Sequence, residues 1–191
     1  INAIMASYGL RGCRTDEAVP HWNTGNKGAD TMEKTILLLG NPDLYQVCEE
    51  VKQEELEQMK SLKKDLRDTL LGFRTRYGAG RAIAAPQIGV RKRVIYRHLD
   101  TEILFINPWL EFPDEEEMEV LDDCMSFPDL LVKVRRRRRC IIHYRDEQWN
   151  ECAMKLEGDM SELLQHEYDH LDGILATMRA VDQRAFVMKA H

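Results

Sequence analysis

No stretch of the 191-residue chain approaches the ~20 consecutive apolar residues that a bilayer-spanning helix requires. The opening segment also lacks the uninterrupted apolar core of a secretory leader. Asp16, Glu17 and Asp30 balance Arg11, Arg14 and Lys27, unlike the acid-poor composition of an organelle transit peptide. Cysteine is sparse: the five residues at 13, 48, 124, 140 and 152 contain no C-x-x-C pair, which suits free thiols in a reducing compartment rather than a disulfide framework. Positive charge is not in excess either. A formal net charge of -6 argues against a surface built for nucleic acid, and no specific DNA partner is expected. There is no internal repeat. These absences leave a soluble, cytoplasmic protein, or one of an organellar stroma or matrix if the source is eukaryotic.

What is present fits one globular domain with a substantial core, since 43% of residues are hydrophobic and 31% charged. Residues 1–31 are weakly patterned and read as an irregular extension, and Met32 is a candidate natural start. From 49 to 73 the apolar residues Leu56, Met59, Leu62, Leu66, Leu70 and Phe73 recur at spacings of three and four, which predicts an amphipathic helix ended by Tyr77-Gly78-Ala79-Gly80. Arg93 to Tyr96 and Ile103 to Ile106 read as strands, the second closed by Asn107-Pro108. Asp114 to Glu119 reads as an acidic turn, and Leu130 to Tyr144 as one or two strands. A second helix is expected from Met160 to Leu171, stopped at Gly173. Helix, strands, then helix predicts an α+β fold rather than a doubly wound sheet.

The sharpest chemical signal is Gln165-His166-Glu167-Tyr168-Asp169-His170. On a helix, His166 and His170 leave the same face one turn apart and can bind one ion, with Glu167 beside them to move a proton on water. Two ordinary surface histidines would give the same spelling, so the motif alone leaves both readings open. Two common completions are missing. Ala176 stands where a third histidine would follow Gly173, and no glutamate follows Glu167. A third ligand has to come from upstream, and Cys124 is the leading candidate because a thiolate binds divalent transition metals well.

Three blocks then carry a resemblance. Gly80-Arg81-Ala82-Ile83-Ala84-Ala85-Pro86-Gln87-Ile88-Gly89, Asp122-Asp123-Cys124-Met125-Ser126 and Gln165 to Gly173 resemble, in this order, the motifs of the peptide deformylase family. The resemblance spans roughly residues 35 to 185. It implies mixed and antiparallel sheets around a C-terminal metal-binding helix, and a catalytic domain over residues 32–191. It further implies a hydrolase that removes the formyl group from the N-terminal formyl-methionine of nascent polypeptides and releases formate. Cys124, His166 and His170 would hold one divalent ion, commonly iron(II), which zinc, nickel or cobalt can replace. Glu167 would be the acid-base residue, while the Gln87 side-chain amide and the Met125 backbone N–H would receive the charge on the formyl oxygen. Ala82 and Leu163 are the candidates for substrate contact. Nascent chains are the implied partners, with the ribosome near the exit tunnel a further one. Two positions depart from the family pattern: Ala82 replaces a glycine, and Asp122-Asp123 replace Glu-Gly. An impaired member that only binds nascent chains or the ribosome is the alternative these departures leave open.

The arginine run from 135 to 139 allows an RNA-contact reading, but alternate side chains on a strand face opposite ways. Pairing with the acidic turn at 114–119 is the competing reading.

Overall fold

The computed structural model describes residues 33–189. The extension at 1–31, Met32, Cys13, His21 and His191 lie outside the described residues. Two helices, α1 (Leu56–Tyr77) and α2 (Asp159–Leu171), accompany eight strands: β1 (Ala82–Ala84), β2 (Val94–His98), β3 (Glu102–Glu111), β4 (Glu117–Cys124), β5 (Phe127–Arg137), β6 (Arg139–Arg145), β7 (Glu151–Glu157) and β8 (Phe186–Met188). One sheet has the order β1-β2-β3-β6-β7 and the other β4-β5-β8, and all pairings are antiparallel. The expected α+β class is therefore what the chain adopts. Among the described residues no helix is long and apolar enough to cross a membrane.

The larger sheet is covered on both faces. Ile83, Val94, Tyr96, Leu104 and Ile106 pack with Met59, Leu62, Leu66, Leu70 and Phe73 of α1. The alternate residues Ala82, Ala84, Ile95 and Phe105 point the other way, onto Leu163, Leu164 and Leu171 of α2. Burial on both sides explains why Val94-Ile95-Tyr96 and Leu104-Phe105-Ile106 are continuous apolar runs rather than alternating ones. A smaller cluster of Cys124, Phe127, Val132, Val134 and Ala176 serves the β4-β5-β8 sheet.

Three local expectations are corrected. The first helix begins at Leu56, after a 3-10 turn at Gln53–Glu55, because Glu49 instead bridges Lys92 as extended chain. It continues to Tyr77 and stops where Gly78 adopts a left-handed φ of 67°. Asn107-Pro108 bends β3 without ending it: Asn107 has φ 49° and the ladder to β6 shifts register between Ile106 and Trp109. The Asn107 side chain secures this bulge by bonding both Val51 N and Val51 O at 2.8 Å. Finally, Glu117 to Glu119 belong to β4, not to the acidic turn, and face β5 arginines in register.

That register disposes of most of the arginine run. Arg135 pairs with Glu119, Arg137 with Glu117, Arg138 with Glu116, and Arg139 with Asp114 and Glu116. These are the ion pairs that the acidic-turn reading expects. Arg136 alone turns inward.

Phe105 is fully buried in β3 against α2 and Tyr144. Truncating it to alanine leaves a cavity that the flanking sheet and helix cannot close. Phe105→Ala is expected to lower unfolding stability by about 3–5 kcal/mol in urea or guanidinium titration. A loss under about 1 kcal/mol would contradict the two-sided packing of this sheet.

Candidate metal centre

The site is built where the β4-β5 hairpin meets α2. Cys124 ends β4, opposite Phe127 across a tight turn made by Met125 and Ser126. His166 and His170 project from α2, and all three side chains are buried. Cys124 Sγ lies 3.3 Å from His170 Nε2, and His170 Nε2 lies 3.2 Å from His166 Nε2. The three potential ligand atoms fall within 4.8 Å of one another. A tetrahedral ion bound at ~2.3 Å to sulfur and ~2.0–2.1 Å to nitrogen would separate its ligand atoms by ~3.3–3.6 Å. The donor set and its spacing therefore fit one divalent ion, and a thiolate with two imidazoles suits a transition metal.

Glu167 follows His166 on α2 and is also buried. Its Oε2 has no hydrogen-bond partner among the described residues. Burial pushes its carboxyl up to about 7, and the charge on His166 only partly opposes this. A carboxylate with an unengaged oxygen and a raised pKa can exchange protons near neutral pH.

Gln87 occupies a 3-10 turn (Ala85–Ile88) right after β1. Its Oε1 accepts from Ala84 N at 3.0 Å, which fixes the amide so that Nε2 faces the hairpin. There Nε2 donates to Cys124 Sγ at 3.5 Å and Ser126 Oγ at 3.3 Å. Ser126 N also donates to Cys124 Sγ, at 3.4 Å. Both donors converge on the sulfur that would ligate the ion.

Around the ligands runs a buried charge network that the motif reading left without a role. Asp122 precedes Cys124 by two residues on β4, so both side chains share one face. Its Oδ1 lies 2.6 Å from His166 Nδ1. Its Oδ2 receives Arg136 Nη2 at 2.7 Å, while Arg136 Nη1 reaches Asp169 Oδ2 at 2.5 Å. Arg179 then embraces Asp169 from outside, with Nη2 2.6 Å from Oδ1. Burial would raise the Asp122 carboxyl, but His166 and Arg136 overcome it and hold the group below its ordinary value. Burial would likewise depress His166, yet Asp122 and Cys124 raise it well above the usual imidazole. His170, with burial and His166 both acting against its charged form, is held well below. Asp122 thus orients one imidazole so that Nε2 faces the ligand cluster, the carboxylate–histidine arrangement that tunes metal ligands. Period-two alternation through Asp122, Cys124 and the arginine run was the available signal.

The flanks of the metal helix are explained by packing. Gln165 acts as a backbone surrogate, accepting from Arg137 N at 3.0 Å and donating to Arg137 O at 2.7 Å. Asp172 is bound by Arg93 at 2.6 Å. Gly173 has φ +71°, and a Cβ there would lie 2.6 Å from the Tyr45 carbonyl. Only glycine lets these backbones approach so closely.

Neither departure from the motif pattern strains the backbone, since Ala82 and Asp123 are not among the positive-φ residues. Asp123 pairs with Leu131 in the ladder and its carboxylate receives Lys189 Nζ at 3.1 Å. Ala82 and Leu163 are buried in one cluster, between β1 and α2.

A polypeptide deformylase family model matches residues 33–186. Peptide deformylase 1 of Prochlorococcus marinus (strain MIT 9313) is 39% identical over 167 residues, covering 80% of this chain and 83% of the relative. The peptide deformylase of Treponema pallidum (strain Nichols) is 36% identical over 151 residues, covering 78% and 89% respectively. Among solved structures, peptide deformylase from Thermotoga maritima superposes with a TM-score of 0.72 at 26% identity, over 78% of this chain and 99% of that one. The Synechococcus elongatus enzyme in complex with actinonin gives 0.71 at 26% identity, over 88% and 89%.

If Asp122 orients His166, weakening that contact should loosen the metal without dismantling the fold. Asp122→Asn is expected to lower zinc affinity about 10–100-fold in competition with a chromophoric chelator. Unchanged affinity would remove Asp122 from the metal's support.

Proposed function

The chain belongs to the polypeptide deformylase family, and on that premise we propose that it is a metal-dependent hydrolase acting on the N-terminal formyl-methionine of nascent polypeptides. The observation that carries this reading is the convergence of Cys124, His166 and His170 beside the buried Glu167 carboxylate, whose Oε2 has no hydrogen-bond partner among the described residues. We take residues 32–191 as the catalytic unit, which the family match over 33–186 supports, with 1–31 an extension outside it.

Cys124, His166 and His170 hold the ion. Iron(II) is the native metal in this reading, and zinc, nickel or cobalt can substitute. When bound, the ion supplies Lewis acidity, polarising the formyl carbonyl and lowering the pKa of a water molecule. Every other task falls to the protein. Glu167 accepts a proton from the attacking water and delivers one to the departing amine, for which a pKa near 7 is suited. Gln87 directs Nε2 toward Cys124, so the same amide donates to a formyl oxygen drawn to the cluster. The Met125 N–H, in the hairpin turn, is the second donor. Ala82 and Leu163 bound the methionine pocket between β1 and α2. The products are formate and a free N-terminal amine. The reaction belongs where formylated chains are made, in a cytoplasm or an organellar equivalent.

The test is formate release from a formyl-Met-Ala-Ser peptide by protein purified without oxygen and carrying one metal per chain. The parent is expected to turn over, and Glu167→Ala to lose about three or more orders of magnitude in kcat with metal content intact. Chelation should abolish the parent's activity and iron(II) or nickel should restore it. No formate from the metal-loaded parent would overturn the reading.

A further inference from the structure

The larger sheet ends on β7, and among the described residues no strand pairs with its outer edge. In the β6-β7 hairpin Asp146 N donates to Asn150 O and Gly158 N donates to Arg138 O, so the even-numbered residues of β7 bond to β6. The N–H and C=O groups of Glu151, Ala153, Lys155 and Glu157 consequently point away from the sheet. Edge strands that avoid partners are often short, bulged or interrupted by proline. β7 runs unbroken from Glu151 to Glu157, without proline, glycine or a register shift.

The charges on this edge are unevenly matched within the chain. Glu151 is held by Arg145 yet its side chain stays 80% exposed, and Glu157 sits with Arg138 and Arg139. Lys155, also exposed, has no ion-pair partner among the described residues. A lysine in mid-edge turns most strands away, but not one that sets a carboxylate opposite it.

The strand's own sequence does so. When β7 meets a second β7 antiparallel about Ala153, Glu151 of each copy faces Lys155 of the other, and Ala153 faces Ala153. These are the residues whose backbone groups point outward, so each facing pair exchanges two N–H···O bonds, about six in all. Centring the pairing on Met154 instead sets Glu151 against Glu157, and centring it on Cys152 leaves Lys155 without a carboxylate. The charges thus select one register. On the face toward α2, Cys152 meets Met154 of the other copy, and Met154 already packs against the α2 cluster. On the opposite face the half-exposed Trp109, stacked on His143 at 3.8 Å, lies in the same cross-strand row as Ala153, and the pairing continues that row into the second copy.

We propose that β7 is a self-complementary docking edge for a second copy of this chain. The sheet then runs without a break from β1 of one copy to β1 of the other. The two-fold axis stands perpendicular to the sheet, so both α2 helices and their ligand clusters lie on the same face.

Sedimentation velocity of the full chain over about 1–200 µM is expected to show a reversible monomer–dimer equilibrium, with a dissociation constant of about 10 µM for so small an interface. Lys155→Glu and Glu151→Lys each place like charges opposite one another and should weaken self-association at least about ten-fold. An equimolar mixture of the two variants restores Glu–Lys contacts at both ends and should dimerise as the parent does. Both side chains lie outside the metal cluster, and circular dichroism checks that each variant is folded. In the parent, amide exchange at Ala153 and Lys155 should slow as concentration rises, while Cys152 and Met154 are protected throughout. A monomer at every concentration overturns the proposal. So does a dimer that persists undiminished in both single variants, a mixture that fails to associate, or a dimer in which exchange at Ala153 and Lys155 stays fast.

Discussion

Arg136 joins the two halves of the site. Its guanidinium bonds Asp122 of β4 on one side and Asp169 of α2 on the other, and is almost fully buried. The strand that carries Cys124 and the helix that carries both histidines are thereby tied by one planar fork. An isolated buried charge is costly, and a buried ion pair recovers that cost only with good geometry and saturated hydrogen bonding. Here two carboxylates and two guanidiniums alternate, with Arg179 completing the series on Asp169. The network is locally neutral, and its value is geometric: Asp122 also fixes the ring of His166.

The rest of the fold supports that junction. The five-stranded sheet presents one face to α1 and the other to α2, so the metal helix lies on a rigid floor. Gln165 docks its middle to Arg137, and Gly173 lets its end press against Tyr45. Each residue of the Gln-His-Glu-x-x-His segment and its Leu-Asp-Gly tail consequently has a physical task, some chemical and others purely positional. The Glu167 carboxylate is buried by the same packing, which is what raises its pKa.

How much of this could be read from sequence depended on the range of the interaction. The pairing of His166 with His170 is local, fixed by helical periodicity, and was legible. Cys124 lies 46 residues from His170. It was identified only by elimination of other ligands and by resemblance of its neighbours. Arg136 was hidden inside a run of like residues, although strand alternation implied that some members of the run face inward. The opposite ambiguity affected Asn107-Pro108. That dipeptide is a turn signal, yet the side chain of Asn107 bonds Val51, distant in sequence, and converts a strand end into a bulge. Ala82 and Asp123 stand where the family pattern has glycine, but neither position uses a positive φ. The spelling of a motif does not reveal which of its glycines the backbone needs.

We attribute the binding of a single ion to one thiolate from the hairpin and two imidazoles from the helix. X-ray absorption at the zinc edge of the zinc-loaded protein tests it without reference to turnover. One sulfur at ~2.3 Å and two imidazole nitrogens at ~2.0–2.1 Å are expected, with the sulfur shell lost in Cys124→Ser. A shell of two or more sulfurs, or a sulfur shell that survives that substitution, would contradict it.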